Sequence, residues 1–118
     1  MSQNIVIYHN PRCSKSRETL ALLQQHGVTP RVVLYLDTPP DAAQVRQLLS
    51  QLGFSSAREV MRQKEDLYRD LNLSDATLSE TQLIAALVEH PKLMERPIVV
   101  NGERARIGRP PEQVLALL

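Results

Sequence analysis

The sequence contains a single cysteine, Cys13, in 118 residues. One cysteine cannot close a disulfide within the chain, and it cannot assemble a zinc site alone. The histidines His9, His26 and His90 lack metal-ligand spacing with Cys13 or with one another. We therefore predict no internal disulfide, no structural metal and no bound cofactor.

An excess of either charge is also missing. The chain has 14 Lys and Arg against 13 Asp and Glu, mixed along the sequence, for a net charge of +1. This balance excludes the strong field that general binding to nucleic acid or to a membrane surface requires. The N-terminal segment has neither a charged n-region nor a long apolar run, so we expect a cytoplasmic protein without a membrane partner.

Repeats, low-complexity tracts and linkers are absent as well. A chain of 118 residues can build one packed core but is too short for two ordinary domains. We therefore predict a single domain over residues 1–118, with a helical insertion at about residues 39–92.

The first third of the chain reads as a βαβ unit. An apolar run over Ile5–Tyr8 predicts a strand, and the pattern over Ser14–His26 predicts a helix that Gly27 ends. The valine- and leucine-rich run Arg31–Leu36 predicts a buried strand. Strand, helix, strand implies a parallel pair with a right-handed crossover.

The middle of the chain is predicted to be helical. Three cap patterns each precede an apolar helical period: Thr38–Asp41, Ser56–Glu59 and Ser79–Gln82. The first places its hydroxyl cap at Thr38, and its helix should end at Gly53. Residues 63–77 are predicted to be mostly loop.

The last third predicts a hairpin followed by a short helix. Asn101-Gly102 between apolar runs predicts a type I′ turn, which requires positive φ at both central residues. The helix should start at Pro110 and turn Val114, Leu117 and Leu118 to its apolar side. The order βαβ, helices, ββα predicts an α/β protein with a thioredoxin-like, mixed four-stranded sheet.

Cys13 is the candidate nucleophile because it stands between the first strand and the first helix. Unpaired backbone N–H groups and the helix dipole favour a thiolate at that point. Hydroxyl groups at Ser14 and Ser16 can donate to a sulfur anion or a bound oxyanion. Cationic side chains flank the sulfur in the sequence: Arg12, Lys15 and Arg17. We predict a lowered thiol pKa.

Three further arginines are candidates for anion binding. Arg96 precedes Pro97 at the entry to the hairpin, Arg109 precedes Pro110 beyond its end, and Arg62 lies near the second inserted helix. In a thioredoxin-like sheet, Arg96 and Arg109 should converge on Cys13, and an X-Pro bond there is a candidate for the cis form. A thiolate among guanidinium groups suits attack on a tetrahedral oxyanion or on a disulfide.

Several segments together resemble the glutaredoxin-linked arsenate reductase family. The first is His9–Arg17, which reads HNPRCSKSR and is followed by Thr19-Leu20. The others are Leu34–Leu36, His90-Pro91, Arg96–Val100 with the letters RPIVV, and Gly108–Pro110. The resemblance runs over nearly the whole chain and implies a thioredoxin-like fold.

The resemblance also implies roles for individual residues. Cys13 would be the nucleophile, and Arg62, Arg96 and Arg109 would match the three anion-binding arginines of the family. Arg58 is the rival of Arg62, since that match depends on a gap of one residue. The supporting residues that the resemblance implies are His9, which would tune the thiol, Ser16, which would hydrogen-bond the thiolate, and Arg17.

The implied reaction is reduction of arsenate to arsenite by an enzyme that borrows electrons. Cys13 would form an adduct with arsenate, glutathione would attack it, and glutaredoxin would resolve the mixed disulfide. A chain with a single cysteine needs such an external thiol. The expected partners are arsenate or a similar oxyanion, glutathione and glutaredoxin, and we expect a monomer.

Three alternatives remain open at this point. Ser14-Lys15-Ser16 stands where arsenate reductases of resistance operons usually have Gly-Thr-Ser, so the natural oxyanion can differ. The spacing Cys13-x-x-Ser16 also fits a monothiol, glutathione-linked thiol transferase. The third alternative is a redox regulator that binds RNA polymerase. A related family of such regulators shares this fold and generally senses through a Cys-x-x-Cys pair, which this chain lacks, but relatives with a single cysteine exist.

Overall fold

A computed structural model describes residues 4–118 of the protein. Met1, Ser2 and Gln3, on which the expectation of a missing leader partly rests, lie outside the described residues. The chain divides into two compact units. The sheet unit comprises the chain up to Thr38 together with Arg96–Leu118, and the helical unit comprises Pro39–Glu95. The single domain over residues 1–118 stays a prediction.

The sheet unit contains a mixed sheet of four strands in the order β2-β1-β3-β4. Strand β1 pairs in parallel with β2 and antiparallel with β3, and β4 pairs antiparallel with β3. The strands are β1 Ile5–Tyr8, β2 Arg31–Val33, β3 Ile98–Asn101 and β4 Arg104–Ile107. This topology confirms the predicted mixed four-stranded sheet.

One helix and one 3₁₀ helix complete the sheet unit. Helix α1 spans Ser14–Gln25, and Gly27 follows its C-cap with a φ of 77° that favours glycine. A 3₁₀ helix spans Pro111–Leu117. The buried core of this unit draws on β1, α1, β3 and the 3₁₀ helix: Ile5, Ile7, Leu23, Val99, Val114 and Leu117. This core anchors both ends of the Cys13-containing loop.

The helical unit consists of short helices, several of which begin at a side-chain cap and bury one apolar face. Its elements are α2 Ala42–Leu52, a 3₁₀ helix Ala57–Val60, α3 Asp66–Asp70, α4 Glu80–Glu89 and a 3₁₀ helix Pro91–Leu93. The buried faces of α2 and α4 carry the apolar residues that the sequence pattern predicts: Val45, Leu48, Leu49, Leu52, Leu83, Ile84 and Leu87. The caps at Ser56 and Ser79 are confirmed, each as a complete capping box.

The prediction of a buried strand over Arg31–Leu36 is wrong in length and in burial. Strand β2 ends at Val33 and lies at an edge of the sheet, where Val32 is exposed. The chain leaves the sheet because the Leu34 carbonyl accepts the N–H groups of Asp37 and Thr38, both at 2.9 Å. An apolar run alone could not reveal that turn.

Two predictions about the helical unit also need correction. The N-cap of α2 is Asp41 and not Thr38, because the Asp41 carboxylate accepts the Gln44 N–H at 2.8 Å. Gln44 Oε1 accepts the Asp41 N–H in return, at 2.9 Å. The predicted loop over residues 63–77 contains helix α3, which buries Tyr68 and is too short to show a helical period.

The hairpin turn is one residue later than predicted. Asn101 pairs with Arg104, which leaves Gly102 and Glu103 as the two loop residues. Of these two only Gly102 has a positive φ, 63°, so the turn is not type I′. Asn101 stays in the strand, and its side-chain amide donates to the Leu117 carbonyl at 2.6 Å. Leu118 is exposed and does not join the apolar side of the last helix.

Within residues 4–118, no helix is both long enough and apolar enough to cross a membrane.

Candidate active site

Cys13 occupies the N-cap position of α1, between strand β1 and the first helical turn. Its backbone is extended, with φ −96° and ψ 124°. The residue is half-buried. The backbone N–H groups of Lys15 and Ser16, in the first turn of the helix, hydrogen-bond to the sulfur and lower its pKa. The open helix end therefore solvates a thiolate, as its position in the sequence predicts.

Several opposing effects set the ionisation of this thiol. Burial, the largest single effect, raises the pKa of Cys13. The Ser16 N–H, the charge of Arg96, the Lys15 N–H and the charge of Arg109 all lower it. Together they outweigh burial, so the pKa of Cys13 lies below that of an ordinary thiol. The predicted direction of the shift is confirmed.

The cations that lower this pKa are distant in sequence. The side-chain charges of Arg12, Lys15 and Arg17 are not among the causes of the shift, to which Lys15 contributes only its backbone N–H. Arg17 Nη1 donates to the Pro11 carbonyl at 2.9 Å, and the Lys15 ammonium lies 3.4 Å from Glu18. The local charge pattern thus led to the correct direction for a partly wrong reason.

Arg109 links the thiol to the segment that precedes β3. Its Nη2 lies 3.7 Å from Cys13 Sγ, and its Nε donates to the Arg96 carbonyl at 2.9 Å. The guanidinium is therefore held between two points and not left as a mobile surface charge. The predicted convergence of Arg109 on Cys13 is present in the structure.

Arg96 presents buried donors near the thiol. Its Nε and Nη1 are inaccessible to solvent and have no hydrogen-bond partner in the described part of the chain. A buried polar group without a partner costs free energy, so such donors usually serve a bound group. The peptide bonds Arg96-Pro97 and Arg109-Pro110 are both cis, as the sequence suggested.

His9 and Ser16 form a buried pair beside the thiol loop. His9 Nδ1 lies 2.6 Å from Ser16 Oγ, which also accepts the Asn10 N–H at 3.0 Å. The expected hydrogen bond from Ser16 to the sulfur is thus made by its backbone N–H, because its hydroxyl is engaged elsewhere. Burial, and secondly the charge of Arg17, lower the pKa of His9. The ring is neutral near pH 7 and braces the loop.

Two residues without a predicted role, Thr19 and Gly108, support Arg109. Thr19 is fully buried on α1, and its hydroxyl lies 2.7 Å from the Lys15 carbonyl and 3.5 Å from the Gly108 carbonyl. A Cβ at Gly108 would lie 2.5 Å from Thr19 Oγ1 and 2.9 Å from Pro97 Cγ. Both residues stand in the motifs quoted above, but only their contact reveals the reason.

Arg62 and Arg58 both belong to the helical unit. Arg62 Nη1 lies 2.8 Å from Glu65, and its Nε lies 3.9 Å from Glu95. Arg58 donates instead to two backbone carbonyls, those of Leu73 at 3.0 Å and of Asp75. Arg58 therefore holds a loop of its own unit together, whereas Arg62 forms ion pairs with two carboxylates. The choice of Arg62 as the third anion-binding arginine stays a prediction.

Over residues 4–118, no group of three or more His, Cys, Asp or Glu residues is arranged to hold a metal ion.

Comparison with known proteins agrees with this geometry. The ArsC family model matches residues 8–117. The chain is 67% identical to the uncharacterized protein YfgD of Escherichia coli K12, over 100% of this chain and 99% of that one. It is 49% identical to an arsenate reductase of Haemophilus influenzae, over 98% and 99%. A solved arsenate reductase from Vibrio cholerae superimposes with a TM-score of 0.98 at 56% identity, over 100% of both chains. The chain belongs to the ArsC family.

Proposed function

We propose that this protein reduces arsenate to arsenite through Cys13, with glutathione and glutaredoxin as the source of electrons. The observation that carries the proposal is the pairing of a thiol of lowered pKa with buried, unpartnered guanidinium donors on Arg96. Those donors suit the oxygens of a tetrahedral anion, because a guanidinium presents paired N–H groups and stays charged. Relatives named as arsenate reductases support arsenate as that anion.

In the first step, the Cys13 thiolate attacks the arsenic atom of arsenate. A sulfur–arsenic(V) bond forms, and one oxygen leaves as hydroxide, which is protonated to water. Arg96 and Arg109 offset the negative charge on the arsenate oxygens and guide the anion to the sulfur. We assign Arg62 the same task for a further oxygen, on the basis of the motif match stated above.

In the second step, the glutathione thiolate attacks the sulfur of Cys13. The new disulfide bond forms as the electron pair of the sulfur–arsenic bond moves to arsenic, which becomes arsenic(III) and leaves as arsenite. Glutaredoxin then reduces the mixed disulfide and restores the Cys13 thiol. The sequence has one cysteine and cannot form an internal disulfide, so the electrons must come from an external thiol. We place this reaction in the cytoplasm, where the glutathione pool is reducing.

The test measures arsenite release with purified protein, glutathione and glutaredoxin. We expect turnover in the wild type, complete loss in Cys13→Ser, and a loss of about 10²-fold or more in Arg96→Gln. Arg106→Gln, an exposed arginine on β4, serves as the matched control and should keep full activity. Arsenite release by Cys13→Ser, or its absence in the wild type, would disprove the proposal. A wild type that exchanges disulfides with glutathione but ignores arsenate would indicate a thiol transferase.

A further inference from the structure

We propose that glutathione binds in a cavity beside the Cys13 loop, which we call the thiol-side cavity. Its walls include Pro11 and Arg12 on one side and Leu34, Leu36 and Asp37 on the other. The proposal rests on the proposed function, which requires an external thiol but does not say where that thiol binds.

The cavity is suitably placed and sized for a tripeptide. One wall is the segment of residues 9–12, which leads directly into Cys13, and the other is the turn that follows β2. Both walls belong to the sheet unit. The volume of about 430 Å³ falls within the range of small-ligand sites. Because the segment of residues 9–12 ends one position before Cys13, a ligand held here would lie beside the thiol loop.

The charges of the two walls match those of glutathione. Glutathione carries two carboxylates and one ammonium group at neutral pH. Arg12 offers a guanidinium and Asp37 offers a carboxylate to the lining of the cavity; in residues 4–118 neither side chain has a hydrogen-bond or ion-pair partner. The loop that carries Asp37 is pinned, because the Asp37 N–H donates to the Leu34 carbonyl at 2.9 Å. One cation and one anion in the lining of the same cavity favour a zwitterionic ligand over a simple oxyanion.

The lining of the cavity also offers apolar surface. Leu34 and Leu36 are 40% and 42% exposed, while Tyr35 between them is buried and anchors the turn. Two exposed leucines in the lining suit the methylene groups and peptide backbone of a tripeptide, which arsenate lacks. Arg96 and Arg109 do not line this cavity. The oxyanion and glutathione would therefore be bound by different residues around Cys13.

The experiment uses glutathione disulfide and contains no arsenate. The Cys13 thiolate attacks one sulfur of glutathione disulfide, forming a Cys13–glutathione disulfide and releasing glutathione thiolate. Intact-protein mass spectrometry measures the rate, and the same measurement with 2-hydroxyethyl disulfide corrects for thiol reactivity. We expect the rate ratio to fall about fivefold or more in Arg12→Gln and in Asp37→Asn. Arg106→Gln should leave the ratio unchanged.

Asp37→Asn separates a built site from general electrostatics. Removing a negative charge should speed the reaction with anionic glutathione disulfide if only net charge matters. A slower reaction supports the proposal, since the ammonium partner has been lost. An unchanged or increased ratio in this variant, or an effect on glutaredoxin turnover alone, would overturn it. The outcome is independent of arsenate reduction, so a failure here and a failure of the proposed function can be told apart.

Discussion

Thr19 and Gly108 are in direct contact across the sheet unit, 89 positions apart in the sequence. The Thr19 hydroxyl bridges the carbonyls of Lys15 and Gly108, at 2.7 Å and 3.5 Å. Arg109 follows Gly108 directly. This contact therefore helps to set the distance between helix α1 and the Arg109 guanidinium, which lies beside the Cys13 sulfur. A side chain at position 108 has no room there.

Gly108→Ala should therefore displace Arg109 as well as strain the core. The new Cβ would meet Thr19 Oγ1 at 2.5 Å, so one of the two segments must move. We expect a loss of about 1–3 kcal/mol in the free energy of unfolding, measured by urea denaturation. Thr19→Ala in the same chain should restore part of that stability. A Gly108→Ala protein with wild-type stability and thiol pKa would contradict this account.

Arg109→Gln should raise the pKa of the Cys13 thiol. The substitution removes a positive charge that favours the thiolate, while the backbone donors of α1 remain. The thiolate is the form present above the pKa, so the pH profile of iodoacetamide alkylation should shift to higher pH. Arg106→Gln is the control for loss of one arginine charge. An identical profile in Arg109→Gln and the wild type would show that this contact does not affect ionisation.

Arg62→Gln and Arg58→Gln should fail in different assays. Arg58 donates to two backbone carbonyls, so we expect its loss to cost about 1–3 kcal/mol in the free energy of unfolding. Arg62 makes two partly exposed ion pairs, whose loss should cost about 0–1 kcal/mol. In arsenite release, Arg62→Gln should lose about 10²-fold and Arg58→Gln far less at a temperature where it stays folded. The reverse pattern would assign the anion-binding role to Arg58.

His9 should make stability depend on pH below neutrality. Burial, and then the Arg17 charge, hold the pKa of His9 below its ordinary value of 6.5. Below about pH 6.5, His9 therefore becomes protonated in the unfolded chain while it stays neutral in the native protein. The free energy of unfolding falls with decreasing pH until the native pKa of His9 is reached. His9→Gln should lack this component, measured by urea denaturation from pH 7.5 to pH 5. His26→Gln, an exposed histidine, is the control and should retain it.

Local patterns predicted most elements of the fold correctly. The spacing of apolar residues predicted α1, α4 and the strands β1, β3 and β4, because an element that buries one face needs apolar residues at regular intervals. The predictions were wrong where a turn or a side-chain hydrogen bond interrupts the regular pattern of apolar residues. The Leu34 carbonyl ends β2, and the Asn101 amide is engaged by Leu117, which moves the hairpin turn. The five-residue helix α3 is too short to show any period.

The grouping of Cys13 with Arg96 and Arg109 was predictable from the sequence, but the hydrogen bonds among the candidate site residues were not. The position of Cys13 at a helix start predicted a thiolate, and the motifs identified Arg96 and Arg109 as its companions. Ser16 does hydrogen-bond the sulfur, but through its backbone N–H, because its hydroxyl is hydrogen-bonded to His9. Hydrogen bonds between residues distant in sequence leave no spacing pattern to detect.

The sequence by itself determined which thiol is the candidate nucleophile and which backbone donors lie beside it, because Cys13 and the first turn of α1 are neighbours along the chain. Only the tertiary structure decided which cations lower its pKa. Arg96 and Arg109 reach the thiol through the sheet, whereas the adjacent Arg17 and Lys15 turn to Pro11 and Glu18. The physical reason is that a charge acts over distance in space, and folding alone sets that distance.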